Sequence, residues 1–452
     1  MLPRVERGPF NQARKGCDGL GKDRGLMFIS DATMKKPRLT VLLGAGSTMD
    51  LGIGPEAVRI GVAGTDEITK QIARHKFPVA FGKGVPFVID DKQEKPFYFG
   101  QAVPVLPLLY KALKATYEVV DFELMLHALE QIEPLISTEG PLAVLSAFVE
   151  IGRKYEVLMD RNLLRATRFA VVEQIHRLIT QIEVGSLAQR PAILEFFERL
   201  AQEFQLSAFT LNYDDIIDGA SLPWFDGFTG AVEQSQQGPV WEARSFDPTS
   251  FENWQHRSEP LLAHLHGSVR FGYSGEGFGL RKYGSAQDAA RSLQGISTSD
   301  RYTAGQIVTG SPIISGLSKA AKLVHNPAPF GYYYKAFMDA MLMTDRLLVI
   351  GYGGRDDHIN TWLSEFSRKF KLRKAVWIGK LSGRMVGERT PEKDMIQVVA
   401  GGGFQDFLHY DDPKNPDRVH HFNALALVAS GFPISAEIEA QIFAFLGMCN
   451  PN

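Results

Sequence analysis

The chain has 452 residues and 44% of them are hydrophobic, so it can bury a large core and form two or three structural units. The formal net charge is -2, so the chain lacks the overall basic character typical of proteins that bind nucleic acid. We therefore expect no direct binding of nucleic acid. The two cysteines, Cys17 and Cys449, are too few for a disulfide scaffold or a four-cysteine zinc site. The 11 histidines include no HExxH pattern, and we expect no metal.

The N-terminal segment is rich in Gly, Arg, Lys and Asp and shows little periodicity, which predicts a flexible arm over residues 1–36. This segment lacks the apolar core of a signal peptide. No apolar run in the chain is long enough to span a bilayer, so we expect no membrane contact. We therefore predict a cytoplasmic protein.

Continuous apolar runs of the kind found in buried parallel strands occur at 38–43, 206–211, 261–265, 346–350 and 375–378. Apolar residues at helical spacing indicate that residues 108–205 are mainly helical, and a last helix is predicted from Glu437 to Leu446. Residues 219–260 have a loop-like composition, and 271–310 resemble an inserted, Gly/Ser-rich excursion. The alternation of strands and helices predicts an α/β fold, a Rossmann-like parallel sheet flanked by helices.

The first predicted strand ends in the glycine-rich turn Gly44-Ala45-Gly46-Ser47. Glycines let a backbone approach a pyrophosphate closely, and a following helix would offer free N–H groups to it. The dinucleotide fingerprint would require glycine at position 49, which is Met49, so an ordinary dehydrogenase turn is not predicted. The turn is either a nucleotide cradle or a tight turn without a ligand.

Polar side chains also follow the second and third predicted strands. One strand is followed by Asn212, Tyr213 and Asp214. The Asn212 amide can form hydrogen bonds with ribose hydroxyls, and it can equally form an Asx turn that caps the strand end. His264 and His266 alternate along the next, and His266 lies nearer the strand end, beside a glycine. His266 is a candidate general base or a core histidine, whereas for His264 we favour the core.

A second glycine-rich turn, Gly351-Tyr352-Gly353-Gly354, follows the strongest apolar run. It suits the far side of a dinucleotide crevice. Asp356, His358 and Asn360 are the polar residues nearest to it, and they either contact a ligand or cap the next helix. For Asp356 we favour capping.

These motifs, in this order, resemble the sirtuin-like NAD-consuming domains of prokaryotes, in particular the branch that acts in anti-phage defence. The matching segments are LLGAGST at 42–48, TDEIT at 65–69, DFE at 121–123, TLNYDD at 210–215, DGF at 226–228, LHGS at 265–268 and IGYGGRDDHIN at 350–360. Together they span residues 38–380, most of the chain.

The resemblance implies roles for individual residues. Gly44, Ala45, Gly46 and Ser47 would bind the NAD phosphates, and Asp214 would join the cofactor-binding residues. Asn212 would contact the nicotinamide ribose or orient water, and His266 would be the catalytic base. Gly351, Tyr352 and Gly353 would bind the adenosine side.

Two features depart from the sirtuin deacylases. The chain cannot form their four-cysteine zinc module, and their GIPDFR-type segment is here Gly52-Ile53-Gly54-Pro55-Glu56-Ala57. The resemblance then implies a sirtuin-like Rossmann domain formed by residues 37–107 and 206–452. The helical insertion 108–205 would cover the active site in place of the zinc module.

We therefore hypothesise an NAD+ glycohydrolase that releases nicotinamide and ADP-ribose as the toxic effector of an abortive-infection defence system. Such an enzyme needs restraint, so we expect a homo-oligomer or a regulatory partner; the resemblance suggests a HerA-type ATPase or a short Argonaute. The alternatives are a non-catalytic sensor of NAD or ADP-ribose, and a protein deacylase or ADP-ribosyltransferase.

Overall fold

The computed structural model describes residues 36–47, 69, 105–118, 120–136, 168, 171–172, 175–176, 179–180, 190–230, 232–234, 242–273, 280–297, 312–314, 319, 322–323, 327–369, 374–379, 391–400, 419–422, 425–428, 432 and 434–447. The chain divides into two compact units, Met1–Lys36 and Pro37–Asn452. The predicted N-terminal arm and the helix expected after Ser47 lie outside the described residues.

The strands formed by the described residues are, in chain order, β1 Arg38–Leu43, β2 Gln205–Thr210, β3 Val232–Gln234, β4 Glu242–Ser245, β5 Leu261–His264, β6 Phe271–Tyr273, β7 Leu280–Tyr283, β8 Arg346–Ile350, β9 Lys374–Ile378, β10 Val419–Phe422 and β11 Leu425–Val428. Seven of them form one sheet in the order β10-β11-β9-β8-β1-β2-β5. All neighbours in it are parallel except the edge strand β10, which is antiparallel to β11. Numbered along the chain, the six parallel strands have the order 3-2-1-4-5-6 of the Rossmann fold, so the predicted fold class is confirmed.

Both faces of this sheet are buried, which explains the unbroken apolar runs of its strands. Because side chains alternate along a strand, Leu347 and Val349 of β8 enter one hydrophobic core, and Leu348 and Ile350 enter the other. At about 25 cal/mol per Å² of apolar surface, such double-sided burial is the main stabilising contribution to the sheet.

Helices cover the two faces. Their bounds are α1 Val105–Lys114, α2 Phe122–Ile136, α3 Arg190–Glu203, α4 Pro248–Glu252, α5 Ala286–Ser297, α6 Tyr332–Met343, α7 Asp357–Lys369, α8 Pro391–Ala400 and α9 Ala436–Leu446. Helices α6, α7 and α8 contribute to one core, and α3 and α9 to the other. The latter two are joined by Arg199, whose Nε and Nη2 donate to the carboxylate of Glu439 at 2.5 and 2.8 Å.

A second, four-stranded antiparallel sheet has the order β3-β4-β7-β6. The loop-like prediction for residues 219–260 was therefore wrong, because β3, β4 and α4 lie within it. Strand β4 is only four residues long, and most of its residues are not buried, so it gives no apolar run that a pattern search can find. Among the described residues, no helix combines the length and apolar character needed to cross a bilayer.

Candidate functional site

The strand order of the large sheet reverses between β1 and β8, and this is where ligands bind in open α/β folds, at the carboxyl ends of the strands. The turn Gly44–Ser47 follows β1, and the turn Gly351–Gly354 follows β8. Both glycine-rich segments therefore lie at the expected position for a ligand crevice.

The two turns pack directly against each other. The Gly46 N–H donates to the Gly351 carbonyl at 2.9 Å. A Cβ on Gly44 would lie 2.7 Å from the Gly351 oxygen, and one on Gly351, whose φ is +64°, would lie 2.0 Å from the Ser47 nitrogen. The glycines at 44 and 351 are therefore required by the contact between the two turns, which for Gly44 agrees with the second interpretation of the sequence, a tight turn that needs no ligand.

Gly353 differs from Gly351, because a Cβ at Gly353 would meet nothing within 4 Å. We expect Gly351→Ala to destabilise the protein by about 3 kcal/mol or more, through positive φ and the clash with Ser47. Gly353→Ala should stay within about 0.5 kcal/mol of wild type. Urea unfolding of the two variants measures the difference; equal stability would contradict the packing of the turns.

The polar residues after β2 and β5 lie at neighbouring strand ends. Thr210 of β2 is paired in register with His264 of β5, and Asn212 and His266 are each two residues further along. Parallel strands therefore bring Asn212 and His266 to the same edge of the sheet. Both are buried, with exposed fractions of 7% and 2%.

Asn212 connects the end of β2 to the first glycine turn. Its Nδ2 donates to Ser47 Oγ at 3.0 Å, and Ser47 Oγ donates to the Gly44 carbonyl at 2.7 Å. These hydrogen bonds fix the amide of Asn212 beside the end of β1. The structure thereby brings together Ser47 and Asn212, two residues predicted for the same site.

His266 faces a histidine from the segment after β8. Its Nε2 lies 3.3 Å from Nε2 of His358, and the ring centroids are 5.5 Å apart. The Ile314 N–H donates to the His266 carbonyl at 2.7 Å, which holds the backbone of His266 in place. His358 was predicted only as a polar residue near the second turn, and the structure places it against the candidate base.

Burial determines the charge of this histidine pair. Loss of hydration lowers the pKa of His266 well below the usual value, and the Lys319 ammonium lowers it further. Burial likewise lowers the pKa of His358. Both imidazoles are therefore neutral at pH 7, and a ring nitrogen that carries no hydrogen can accept a proton; which Nε2 of the pair carries the hydrogen depends on the tautomer.

A buried lysine completes the polar cluster. Lys319 Nζ lies 2.8 Å from Asp356 Oδ1 and 3.0 Å from Glu123 Oε1. Burial opposes ionisation of Asp356 and would raise its pKa. His266 and Lys319 outweigh this effect and lower the pKa, and of these two only Lys319 is charged at neutral pH. Asp356 immediately precedes α7, and its carboxylate binds Lys319. Lys319 was missed from sequence because no motif or periodic pattern surrounds it.

Helix α2 reaches the site through its first turn. Besides the ion pair of Glu123, Phe122 packs on Tyr213 with ring centroids 6.4 Å apart, and Tyr213 lies next to Asn212 in the chain. His176, also from residues 108–205, is completely buried beside the backbone of Ser268. Residues of the predicted insertion therefore contact the strand ends that hold Asn212 and His266.

Four other predicted binding residues have different surroundings. Asp214 Oδ1 accepts from the Ile216 N–H at 3.3 Å, in a local Asx turn. The Tyr352 side chain points into the core, and its hydroxyl donates to Asn360 Oδ1 at 2.8 Å. Ala45 and Gly353 are exposed at the tips of the two turns.

His264 belongs to a separate buried network. Its Nε2 lies 2.9 Å from Asp218 Oδ2, and Lys282 Nζ bridges Asp218 Oδ1 at 2.5 Å and Asp226 Oδ2 at 2.6 Å. Arg270 Nη1 lies 3.7 Å from Asp218. This network joins the large sheet to β7 of the second sheet, so His264 has a structural partner and stands apart from the cluster around His266.

The family model described as SIR2-like domain matches residues 206–393. The match supports a sirtuin-like family. The matched segment includes Asn212, His266 and the second glycine turn, and a SIR2-like domain suggests NAD-related chemistry. No curated protein matches the chain.

Proposed function

We propose that the protein is an NAD+ hydrolase that cleaves the nicotinamide–ribose bond. The observation that best supports this proposal is that buried Asn212 and neutral, buried His266 follow neighbouring strands at the ligand-binding edge of a Rossmann-ordered sheet. The SIR2-like match supports NAD as the substrate, and the strand register supplies a polar amide and a candidate base at neighbouring strand ends.

In this proposal the pyrophosphate of NAD lies against the turn Gly44–Ser47, and the nicotinamide ribose lies beside Asn212. The Gly46 N–H donates to the Gly351 carbonyl, which holds this turn in place before the substrate binds. The hydrogen bond from Asn212 to Ser47 orients the amide before the substrate arrives. Preorganised dipoles of this kind act strongly in a buried site.

The proposed reaction conserves atoms and charge. The bond from the ribose carbon to the nicotinamide nitrogen breaks with its electron pair moving to nicotinamide, and the ribose gains oxocarbenium character. A water oriented by Asn212 forms the new carbon–oxygen bond and loses a proton to His266 Nε2. His266 then releases that proton to solvent, leaving nicotinamide and ADP-ribose.

Contacts from residues 108–205 support the further proposal that this helical segment covers the site. Phe122 and Glu123 at the start of α2 pack on Tyr213 and Lys319. A cover limits the access of other nucleophiles, so that a single bound water is favoured as the acceptor.

Product analysis tests the reaction. Purified full-length protein, incubated with NAD+ alone and with neighbouring-gene proteins, should release nicotinamide and free ADP-ribose in equal amounts, as measured by liquid chromatography. Acetyl-ADP-ribose from an acetylated peptide, or ADP-ribose attached to protein, would indicate deacylation or transfer. Tight NAD+ binding without turnover under every one of these conditions would indicate a sensor subunit.

We further propose that this activity serves as a toxic anti-phage effector in the cytoplasm, as the resemblance to defence sirtuin-like domains implies. The proposed restraint is assembly into a homo-oligomer or control by a HerA-type ATPase or short Argonaute. Cellular NAD should fall during phage infection only when the protein is present. An unchanged NAD pool in protected cells would contradict the effector role.

A further inference from the structure

The cluster around His266 has the donor set of a transition-metal site, which was not expected from the sequence. Ligand atoms of His266, Asp356 and His358 all lie within 4.8 Å of one another. Two imidazoles and one carboxylate, with a fourth position left for water, are one of the ligand sets found in catalytic zinc sites.

The spacing of the two imidazoles agrees with this chemistry. Their Nε2 atoms are 3.3 Å apart and face each other. In a tetrahedral zinc site with Zn–N bonds of about 2.0–2.1 Å, two ligand nitrogens are separated by about 3.3–3.4 Å. The histidine pair can therefore bind one ion without a change in the separation of its nitrogens.

A lysine holds the third donor residue, Asp356, in position. Lys319 Nζ binds Asp356 through Oδ1 at 2.8 Å, and a carboxylate has a second oxygen that can bind a metal. Lys319 is shared with Glu123 at 3.0 Å, so two carboxylates surround one ammonium. The lysine thus fixes the orientation of Asp356, and Glu123 is its second partner.

We propose that His266, His358 and Asp356 bind Zn²⁺ and that the bound ion inhibits the enzyme. Zinc occupies the lone pair of His266 Nε2, the atom assigned to accept the proton of water. The inhibitory consequence rests on the proposed NAD hydrolysis, whereas binding of the ion does not depend on it.

Isothermal titration calorimetry of the metal-free, full-length protein with ZnCl₂ tests the binding. Wild type should bind one ion at this site, and His358→Ala and Asp356→Asn should each lose at least about tenfold in affinity. His256→Ala alters an exposed histidine and should bind as wild type does. Unchanged stoichiometry and affinity in both ligand variants would overturn the proposal.

Two further measurements separate binding from inhibition. Wild-type protein loaded with Co²⁺ should show the intense visible absorption of a four-coordinate site. This measurement uses only the wild type, so it does not depend on the folding of a variant. A weak octahedral spectrum would contradict the site.

Saturating Zn²⁺ should suppress NAD hydrolysis, and EDTA should restore it. Full hydrolysis with zinc bound would overturn the inhibitory role alone, and absence of hydrolysis without metal would count against the proposed function instead.

Discussion

His266→Ala should lower the rate of NAD+ hydrolysis by about 10²- to 10⁴-fold, the usual contribution of a general base. The side chain is buried, faces His358 at 3.3 Å and is kept neutral by loss of hydration, so no bulk buffer molecule can readily replace it. The loss should appear in kcat more than in KM, because the imidazole acts on water and not on bound NAD. Nicotinamide release at saturating NAD+ measures it.

The control for this variant is His256→Ala. His256 is exposed, in a 3-10 turn after α4, and its replacement should leave the rate of wild type. Circular dichroism of both variants tests whether they are folded. A His266→Ala protein that is folded and hydrolyses NAD+ at the wild-type rate would exclude His266 as the base, whatever the products are.

The central sheet could be predicted from the sequence because its strands are buried on both faces. Parallel strands covered by helices form unbroken apolar runs, as residues 347–350 of β8 do, and these runs are detectable without any long-range information. The positions of Asn212 and His266 at one edge then follow from the direction of the chain. This part of the site is fixed by local pattern together with the geometry of parallel sheets.

The rest of the site could not be predicted, because it depends on contacts between distant segments. Lys319 is 37 residues from Asp356 in the chain, and Glu123 is on a helix of a different region. Neither ion pair has a periodic pattern or a fixed spacing. The reason for glycine at position 44 was likewise hidden, since it is the backbone of Gly351 that excludes a side chain there.

Asp218→Ala should lower the free energy of unfolding by about 3 kcal/mol, the lower end of the range for removing one partner of a buried ion pair. The side chain of Asp218 is 2% exposed, and it lies between Lys282 at 2.5 Å and His264 at 2.9 Å. In the variant, Lys282 keeps its ion pair with Asp226 at 2.6 Å, which limits the loss of stability. Urea unfolding gives the value.

A matched exposed pair provides the control. Glu365 and Arg368 form an ion pair of 2.6 Å on the surface of α7, where their side chains are 41% and 75% exposed. Glu365→Ala should change stability by no more than about 0.5 kcal/mol, because solvent screens the pair. An equal effect of the Glu365 and Asp218 variants would show that burial does not strengthen the network.

The pH dependence of Asp218→Asn distinguishes lost charge from lost packing. Burial alone would raise the pKa of Asp218, but Lys282, then His264 and Arg270, lower it below its ordinary value of 3.8. A carboxylate with a lowered pKa stabilises the folded state fully above that ordinary value, and the contribution is lost as pH falls through the folded pKa. The stability difference between wild type and Asp218→Asn should therefore be constant from about pH 5 to pH 8 and shrink below about pH 4. A difference that stayed constant into the acid range would mean that shape, and not charge, makes Asp218 necessary.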